Sequence, residues 1–445
     1  MNIVHYIMGI PPLRQGGLIR YAIDLAEEQV KQKHTVKIMY AGEIRTNIVR
    51  KNKVKIVKRK NINGVGYYEI INPLPVSVST GMCDEQLFMQ STDPRAYKDF
   101  FIKNKIEVLH IHSLMGLHLE VIKTAKKLGI KTIYTSHDYF GICPKTDRLK
   151  ENKVCLDTNW KECNVCCNNP ISYKKIKRKQ SHLFYYLLSC KWLVKAHTLM
   201  NSEKEKDVDC LKNKHIPTDY EKLREYYKQF FKEIDFIHYN SNLAKSQYER
   251  VIGIQQSTVF FVSHHGIKDC RKRKELLEKI HIGYLGGQGK NKGYDILYEA
   301  LVELQADTEK IFELEIYFKS KIKAKFINEH APYDMGQIDA VFSNIDILVV
   351  PSQGAETFGF VVLEAFMHGV PIVITENVGA KDFLNKYPGA GVVVKPDKNS
   401  IELALKNLLE NRERILKMNR YICEQEIDVD YEKYVRKIIS LYNTI

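Results

Sequence analysis

Residues 351–373 read PSQGAETFGFVVLEAFMHGVPIV, a polar loop between two apolar segments. The apolar run Ile345–Pro351 before the loop predicts a buried strand, and the apolar spacing in Phe360–His368 after it predicts a helix. Pro371–Thr375 then predicts the next strand. A strand, a helix and a strand in succession build a parallel sheet, and such sheets bind ligands at the carboxyl ends of their strands. The loop is therefore a candidate ligand site.

The loop and the helix after it carry groups that suit a phosphorylated sugar derivative. Glu356 in the loop and Glu364 in the helix place a carboxylate on either side, and carboxylates accept hydrogen bonds from sugar and ribose hydroxyls. The backbone N–H groups of Phe358, Gly359 and Phe360 lie at the predicted helix start and suit a phosphate. Two acids alone are more often solvated surface residues. The apolar and glycine context favours the site.

The rest of the chain repeats the alternation of strand and helix in two series. The first series has strands at Asn2–Met8, Thr35–Tyr40, Val108–His112 and Lys131–Tyr134, and helices at Leu18–Ala26 and Leu117–Leu128. The second has strands at His281–Leu285 and Phe312–Phe318, and helices at Asp295–Leu304 and Ser400–Leu409. Near-continuous Val, Ile and Leu strands separated by helices are typical of parallel sheets covered on both faces. The predicted fold class is α/β, with two Rossmann-like, doubly wound domains facing across a cleft.

Other polar segments follow predicted strands and are candidates for the same cleft. Gly16 and Gly17 follow the first strand, and Ser136-His137-Asp138 follows the strand at Lys131–Tyr134. Gly286-Gly287 and Lys292-Gly293 follow the first strand of the second series. Glycine allows close backbone approach to a ligand, but a lone Gly-Gly pair is weak support. A histidine in an apolar strand is more often a satisfied core residue.

Composition limits the class of protein. The 445 residues are 44% apolar and 27% charged, values that exclude a disordered chain, a collagen or a bare coiled coil. Lys and Arg number 68 against 53 Asp and Glu, so the net charge of +15 favours an anionic partner. The sequence shows no apolar run of about 20 residues and no basic segment at the N-terminus that would predict a signal peptide. Ten cysteines in such a chain fit a reducing cytoplasm.

The stretch ETFGFVVLEA resembles the E-x7-E signature of retaining GT-B glycosyltransferases, and its surroundings resemble glycosyltransferase family 4. The Gly-Gly loop, HIHS, SHDYFGICP and YLGG…NKGYDIL align with that family in the same order. The resemblance covers nearly the whole chain. It implies a nucleotide-sugar donor bound by the C-terminal domain and a glycan or lipid-linked acceptor bound by the N-terminal domain.

The resemblance also implies domain limits. The N-terminal acceptor domain would be residues 1–266, with a helical, cysteine-containing insertion at about 141–235, and the donor domain would be residues 267–427. Residues 428–445 would cross back as a helix onto the first domain. His264-His265-Gly266-Ile267 falls at the crossing between domains, where a hinge is the plain interpretation and metal binding is disfavoured.

By the same resemblance, Glu356 would contact the donor sugar, Glu364 the ribose hydroxyls and Lys292 the diphosphate, while His137 would face the reacting sugar. The predicted catalytic residues are His137, Glu356 and Lys292. The predicted donor-binding residues are Gly16, Gly17, Gly287, Lys292, Phe358, Gly359, Phe360 and Glu364. Relatives carry Arg at the position of Gly287, and Lys290 is the candidate to compensate. A lysine and helix N-terminal amides can stabilise a diphosphate leaving group without a metal.

No cofactor and no catalytic metal is predicted. Asp207-Val208-Asp209 and Asp428-Val429-Asp430 fit solvated, helical surface better than magnesium sites. Cys143, Cys155, Cys163 and Cys166 include a Cys-x2-Cys pair, so a structural zinc stays an alternative to separate buried thiols.

A basic, aromatic stretch at Ile171–Met200 contains no Asp or Glu and suits an anionic membrane surface. A helix packed on the N-terminal domain, with solvated lysines, is an equal alternative, and the basic run Arg45–Lys60 belongs to the same domain. Nucleic acid is not a predicted partner, because no recognition fold surrounds the stretch. The predicted location is the cytoplasm, with peripheral contact at the inner face of the membrane as an alternative.

The resemblance implies a retaining transferase of bacterial surface-polysaccharide assembly, and two other functions are alternatives to it. A non-catalytic nucleotide- or carbohydrate-binding relative shares the motifs. A nicotinamide oxidoreductase needs G-x-G-x-x-G directly after the first strand and an acidic residue at the end of the second. Gly9-Ile10-Pro11 and Tyr40-Ala41-Gly42 fail that test.

Overall fold

The structure is a computed structural model. It describes residues 1–45, 53–77, 81–156, 162–168, 170–181, 183–184, 218–275, 278–307 and 312–445. Parts of four predictions lie outside these residues. Asp207-Val208-Asp209 does so entirely, and so do residues 185–200 of the stretch Ile171–Met200, with Tyr185, Tyr186 and Trp192. Residues 46–52 of the basic run Arg45–Lys60 and residues 185–217 of the predicted insertion at about 141–235 are also outside them.

The N-terminal half is built on a mostly parallel sheet. The strands of this sheet are β1 (Asn2–Ile7), β2 (Thr35–Ala41), β3 (Lys55–Ile62), β4 (Val65–Ile71), β5 (Val108–Ile111), β6 (Lys131–Thr135), β9 (Phe236–Tyr239) and β10 (Ser257–Val259). Between β6 and β9 the chain forms a hairpin of β7 (Leu149–Lys150) and β8 (Lys153–Val154). In the described part of the chain the sheet has eight strands in the order β10-β9-β6-β5-β1-β2-β4-β3. Neighbours are parallel except β3 and β4, which form an antiparallel edge. The hairpin β7–β8 is separate from this sheet.

Helices cover this sheet and connect its strands. They are α1 (Gly17–Lys31), α2 (Glu85–Phe88), α3 (Arg95–Lys103), α4 (Leu119–Lys127), α5 (Cys163–Cys166), α6 (Tyr173–Lys179), α7 (Tyr220–Glu233) and α8 (Asn242–Ile252). Helix α1 shows why such helices form here. It buries Ile19, Ala22 and Ala26 against β2 and β4 on one side. Tyr21 and Leu25 are buried in a second core cluster, which includes residues of the C-terminal half.

The C-terminal half is a second parallel sheet. Its strands are β11 (Ile280–Tyr284), β12 (Phe312–Ile316), β13 (Ile327–Glu329), β14 (Ile347–Val350), β15 (Ile372–Thr375) and β16 (Gly391–Val394). Within the residues that the structure describes, their order is β13-β12-β11-β14-β15-β16, and every pair is parallel. The chain reverses direction across the sheet between β11 and β14, which is the switch point where such sheets bind ligands.

The helices of the C-terminal half complete the layers. They are α9 (Tyr294–Asp307), α10 (Ile338–Ser343), α11 (Phe360–Phe366), α12 (Lys381–Lys386), α13 (Lys398–Glu410), α14 (Arg412–Glu424) and α15 (Tyr431–Thr444). Helix α11 ends two residues before the predicted His368, because residues 367–369 form a turn. Residues 425–430 lack regular structure, so the prediction that Asp428-Val429-Asp430 is helical is wrong. Both aspartates are exposed, as predicted.

The two halves touch through side chains and through α15. Tyr434 on α15 lies 2.8 Å from the Tyr21 hydroxyl on α1, oxygen to oxygen. Ser241 Oγ donates to the carbonyl of Thr357 at 2.6 Å, and Thr357 Oγ1 donates to the carbonyl of His137 at 3.0 Å. These contacts hold the carboxyl ends of both sheets face to face. Among the described residues, no helix is long and apolar enough to cross a bilayer.

Candidate active site

A cavity of about 820 Å³ lies where the two sheets face each other. From the first sheet it is lined by residues that follow β1, β6 and β9, and from the second by residues that follow β11 and β14. It therefore opens at the switch point of the second sheet. This position at strand ends is the one that the sequence pattern predicts.

The predicted site residues all line this one cavity. They are Gly16, Gly17, His137, Gly287, Lys292, Glu356, Phe358, Gly359, Phe360 and Glu364. Residues more than 300 positions apart are brought together because both sheets present their carboxyl ends to the cleft. Lys290, the candidate to compensate for the arginine that relatives carry at the position of Gly287, is exposed and does not line the cavity.

Lys292 and Glu356 form an ion pair at the cavity wall. Lys292 Nζ lies 2.8 Å from Glu356 Oε1, and Ser352 Oγ donates to Glu356 Oε2 at 2.7 Å. Burial alone would raise the pKa of Glu356, but the Lys292 ammonium and the hydrogen bonds from Lys292 and Ser352 hold that pKa below its usual value. Glu356 is therefore a carboxylate at neutral pH, and it faces a cation that is 37% exposed and accessible to a ligand.

Glu364 has a protein partner that the sequence did not reveal. His264 Nε2 lies 3.0 Å from Glu364 Oε1, and both side chains are buried. The Gly266 N–H donates to His264 Nδ1 at 3.1 Å. A neutral imidazole that accepts at Nδ1 carries its proton on Nε2, so His264 donates to Glu364. The residue expected to serve as a hinge thus orients a predicted ribose-binding carboxylate.

The turn between Glu356 and α11 depends on glycine. Gly359 has φ of 98°, a conformation that side chains other than glycine rarely adopt, and α11 begins at the next residue. Gly17 is restricted by space, because a Cβ there would lie 3.0 Å from the ring of Phe360. Both glycines allow the backbone and Phe360 to approach closely at the entrance to α11.

His137 follows β6 and closes the N-terminal side of the cavity. Its Nε2 lies 3.2 Å from His112 Nδ1, and its ring centroid is 4.5 Å from that of Tyr21. Burial lowers the pKa of His137 to about 3, with a smaller contribution from His238. The imidazole is therefore neutral at physiological pH and forms hydrogen bonds without carrying a charge.

Asp138 and Arg20 also line the cavity, and neither was predicted as a site residue. Burial raises the pKa of Asp138 to about 6, against hydrogen bonds from the Phe140 N–H and Ser113 Oγ. Arg20 Nε binds both carboxylate oxygens of Asp24 at 2.9 Å. The sequence could have indicated Asp138 as a site residue, because it is next to His137. Arg20 lies one helical turn after Gly17, a spacing that places it near the same opening.

The cysteine cluster lies beside the active-site loop rather than in the main cavity. Cys143, Cys155, Cys163 and Cys166, together with Cys167, line a separate cavity of about 30 Å³ and are free thiols. Burial raises the pKa of Cys143 to about 11. Among the described residues, the groups whose ligating atoms lie within 4.8 Å of one another do not include these thiols. A structural zinc at this cluster therefore stays an alternative to separate buried thiols.

Comparison with solved structures shows the architecture. Sucrose-phosphate synthase from Thermosynechococcus elongatus superposes with a TM-score of 0.58 at 13% identity, covering 99% of this chain and 98% of that one. Anabaena HepE in complex with UDP and glucose gives 0.56 at 12% identity, covering 99% of both chains. WaaG, a glycosyltransferase involved in lipopolysaccharide biosynthesis, gives 0.55 at 12% identity over 98% of this chain and 99% of that one.

The chain has the GT-B fold. The fold prediction from the sequence is thus confirmed over nearly the full length. Within this GT-B chain, residues 267–425 match the family described as "Glycosyl transferases group 1". A protein of the Klebsiella pneumoniae cps region, described as an uncharacterized 41.2 kDa protein, is 26% identical over 275 residues, or 61% of this chain and 67% of that protein.

Proposed function

We propose that this protein is a retaining glycosyltransferase that moves a sugar from a nucleotide-sugar donor to a glycan or lipid-linked acceptor. The observation that carries the proposal is the convergence of Lys292, Glu356 and Glu364 from one domain with His137 from the other on one cavity. The match of residues 267–425 to the glycosyltransferase family supports a donor site in that half.

In the proposed reaction the donor diphosphate lies against Lys292. The ammonium has three N–H donors, of which the hydrogen bond to Glu356 uses one, so others are available for phosphate oxygens. Negative charge grows on the leaving diphosphate as the bond to the sugar breaks, and a cation placed beforehand stabilises that charge. Because this arrangement supplies the positive charge from a side chain, we propose that transfer is independent of a divalent metal.

Glu356 and Glu364 have different roles in the proposal. Glu356 is ionised and close to the diphosphate-binding lysine, so it accepts hydroxyl hydrogen bonds from the donor sugar as positive charge develops at the anomeric carbon. Glu364 is held by His264 through Oε1, which leaves Oε2 to accept from a ribose hydroxyl. His137 lines the same cavity from the N-terminal half, which is the proposed acceptor side.

The proposed pathway is assembly of a bacterial surface polysaccharide. A relative in a cps region supports it, and a structural neighbour acts in lipopolysaccharide biosynthesis. Two structures of one neighbour, Anabaena HepE, contain UDP, which makes uridine nucleotide sugars the first donors to test.

The test is release of nucleoside diphosphate from a panel of UDP-, ADP- and GDP-sugars, with and without glycan acceptors, in the presence and absence of EDTA. We expect turnover of one donor class, unaffected by EDTA, with Glu356→Gln strongly impaired. Glu376→Gln is the control, because Glu376 is an exposed acid that does not line the cavity. Donor binding without turnover under every acceptor condition would instead favour the non-catalytic relative, and loss of activity with EDTA would refute metal independence.

A further inference from the structure

Five histidines form a chain of hydrogen bonds beneath the candidate active site. His5, His110, His112 and His238 are fully buried in or beside the first sheet, and His137 ends the chain at the cavity. Such polar groups in a core are costly unless they are paired. Their pairing runs in one continuous line.

The inner part of the line starts at His137. His137 Nε2 lies 3.2 Å from His112 Nδ1, and His112 Nε2 lies 2.9 Å from His5 Nδ1. His5 Nε2 lies 2.7 Å from Gln29 Oε1 on α1. Gln29 Nε2 in turn donates to the Tyr442 hydroxyl on α15 at 3.0 Å.

The outer part continues from Tyr442 to a backbone carbonyl. The Tyr442 hydroxyl lies 2.7 Å from His110 Nδ1, and His110 Nε2 lies 2.8 Å from Thr135 Oγ1. Thr135 Oγ1 lies 3.2 Å from His238 Nδ1, and His238 Nε2 lies 2.9 Å from the carbonyl oxygen of Phe260.

The carbonyl of Phe260 sets the direction of the outer bonds. A carbonyl only accepts, so His238 donates from Nε2 and its neutral ring accepts at Nδ1. Thr135 must then donate to His238 and accept from His110 Nε2. His110 therefore accepts at Nδ1, and the Tyr442 hydroxyl donates to it.

The donor and acceptor roles of the inner bonds follow in the same way from Tyr442 to the cavity. Because the Tyr442 proton is used on His110, Tyr442 accepts from the Gln29 amide nitrogen, and Gln29 Oε1 accepts from His5 Nε2. His5 accepts at Nδ1 from His112 Nε2, and His112 accepts at Nδ1 from His137 Nε2. His137 then has its proton on Nε2 and a lone pair on Nδ1.

Each ring in this chain donates from one nitrogen and accepts at the other, so all five rings must be neutral at physiological pH. Burial lowers the pKa of His5 and of His238 to about 4, and it lowers that of His137 to about 3. Burial and neighbouring histidines place the pKa values of His110 and His112 well below the usual range. All five rings are therefore neutral, as the chain needs.

A metal site is the competing interpretation of part of this cluster. Ring nitrogens of His5, His110 and His112 lie within 4.8 Å of one another. However, each of the six nitrogens in these rings already has a hydrogen-bond partner along the chain. Binding a metal would break those bonds, so the arrangement favours the hydrogen-bonded chain.

We propose that this chain holds His137 as the Nε2–H tautomer, so that Nδ1 is a hydrogen-bond acceptor for a ligand hydroxyl in the cavity. Nδ1 is the ring nitrogen of His137 that has no protein partner among the described residues. Thr135 and Tyr442 are positioning residues, because they act on His137 through other groups. The assignment of a sugar hydroxyl as the ligand rests on the proposed glycosyltransferase function, whereas the tautomer does not.

The test is a long-range proton–nitrogen NMR correlation of protein labelled with ¹⁵N-histidine, with His137 assigned from the spectrum of His137→Gln. In the wild type we expect Nε2 of His137 to be protonated and Nδ1 to be unprotonated. A wild-type His137 protonated on Nδ1 would overturn the proposal without reference to any variant or to activity.

Thr135→Val tests the chain itself. Valine removes the acceptor for His110 Nε2–H, and an unpaired buried N–H is worse than an unpaired lone pair. His110 then moves its proton to Nδ1, Gln29 rotates its amide, and every bond as far as His137 reverses. We expect the proton on His137 to shift to Nδ1, either fully or as an average of the two tautomers.

Thr132→Val is the matched control, because Thr132 lies on the same strand and is also fully buried, but its hydroxyl pairs with Asp235. It should leave the His137 spectrum unchanged. An unchanged spectrum in folded Thr135→Val, or the same shift in both variants, would refute the chain. If Thr135→Val does not fold, Tyr442→Phe cuts the chain at its middle and is expected to give the averaged spectrum. An inactive protein with the expected tautomer would refute the proposed function and leave this inference standing.

Discussion

Lys292 Nζ lies 2.8 Å from Glu356 Oε1, so the cation expected to bind the donor diphosphate and the carboxylate expected to contact the donor sugar are in direct contact. The pair sits at the carboxyl end of the second sheet, with Ser352 holding the other carboxylate oxygen. A ligand that accepts hydrogen bonds from Lys292 therefore also changes the surroundings of Glu356. Because the two residues have different expected roles, variants at the two positions should distinguish an effect on donor binding from an effect on turnover.

Glu356→Gln should lower kcat more than it weakens donor binding. The amide keeps the size of the side chain but removes the negative charge that faces the developing positive charge on the sugar. Steady-state kinetics together with a donor titration would separate the two effects. Turnover at the wild-type rate would show that Glu356 only shapes the loop.

Glu364→Ala should weaken donor binding by about 1.5–3 kcal/mol, or about 10- to 150-fold in Kd, as expected for a charged hydrogen bond. Glu364→Gln is the companion variant, because its amide oxygen still accepts from His264 and preserves the local structure. Calorimetric titration with the preferred donor is the measurement. Unchanged affinity in both variants would remove Glu364 from the site.

The raised pKa of Asp138 predicts a pH-dependent stability difference. Its pKa is 3.8 in the unfolded reference and about 6 in the folded protein, so the folded state binds more protons between these values. Stability from this residue is present below about pH 4 and is lost as pH rises through about 6, with a total of roughly 2–3 kcal/mol.

Asp138→Asn isolates this effect, since the amide can still accept from the Phe140 N–H. The buried histidines have lowered pKa values and act in the opposite direction, but they are common to both proteins and cancel in the difference. Urea unfolding at pH 4 to 7 should show the wild type losing stability relative to the variant as pH rises. A difference that does not vary with pH would contradict the assignment.

We predict that helix α6 contacts an anionic membrane through its basic residues. It carries Lys174, Lys175, Lys177, Arg178 and Lys179, and its one buried residue is Ile176. Each basic residue near an anionic surface contributes about 1 kcal/mol, and the attraction fades beyond about 8 Å at physiological salt. Replacing these five cations with glutamine should release the protein from anionic vesicles and leave activity on a soluble acceptor intact.

The control replaces a basic group of the other domain, the lysines at 319, 321, 323 and 325, which are exposed. Co-sedimentation with vesicles across a salt series is the measurement. Equal release by both sets would indicate attraction by net charge alone. Wild-type protein that does not sediment at low salt would leave a solvated helix face as the explanation for α6.

The sequence predicts the two sheets because their central strands are buried on both faces and so appear as continuous apolar runs. The edge pair β3 and β4 was not predicted. Strand β3 is mostly exposed and contains four residues with cationic side chains, so it lacks such a run. Edge strands depend on the neighbour they pair with rather than on their own apolar pattern.

The site was predicted where motifs lie at strand ends, as at Glu356 and His137. The sequence indicates only a hinge at His264, because its partner Glu364 is 100 positions away and the pairing depends on how the two halves of the chain meet. The buried histidine chain could not be predicted from the sequence for the same reason. His5, His110 and His238 lie on β1, β5 and β9, whereas His112 and His137 follow β5 and β6, and the strand order β9-β6-β5-β1 brings them together.

The central claim is that the cleft binds a nucleoside diphosphate through Lys292. The most direct measurement is calorimetric titration of UDP, ADP and GDP into the wild type, Lys292→Ala and Lys290→Ala. The two lysines lie on one short turn, Lys290–Lys292, but only Lys292 lines the cavity. We predict that one nucleotide binds the wild type and Lys290→Ala equally, and binds Lys292→Ala at least tenfold more weakly. Equal weakening in both variants, or no binding of any of the three nucleotides by the wild type, would contradict this account.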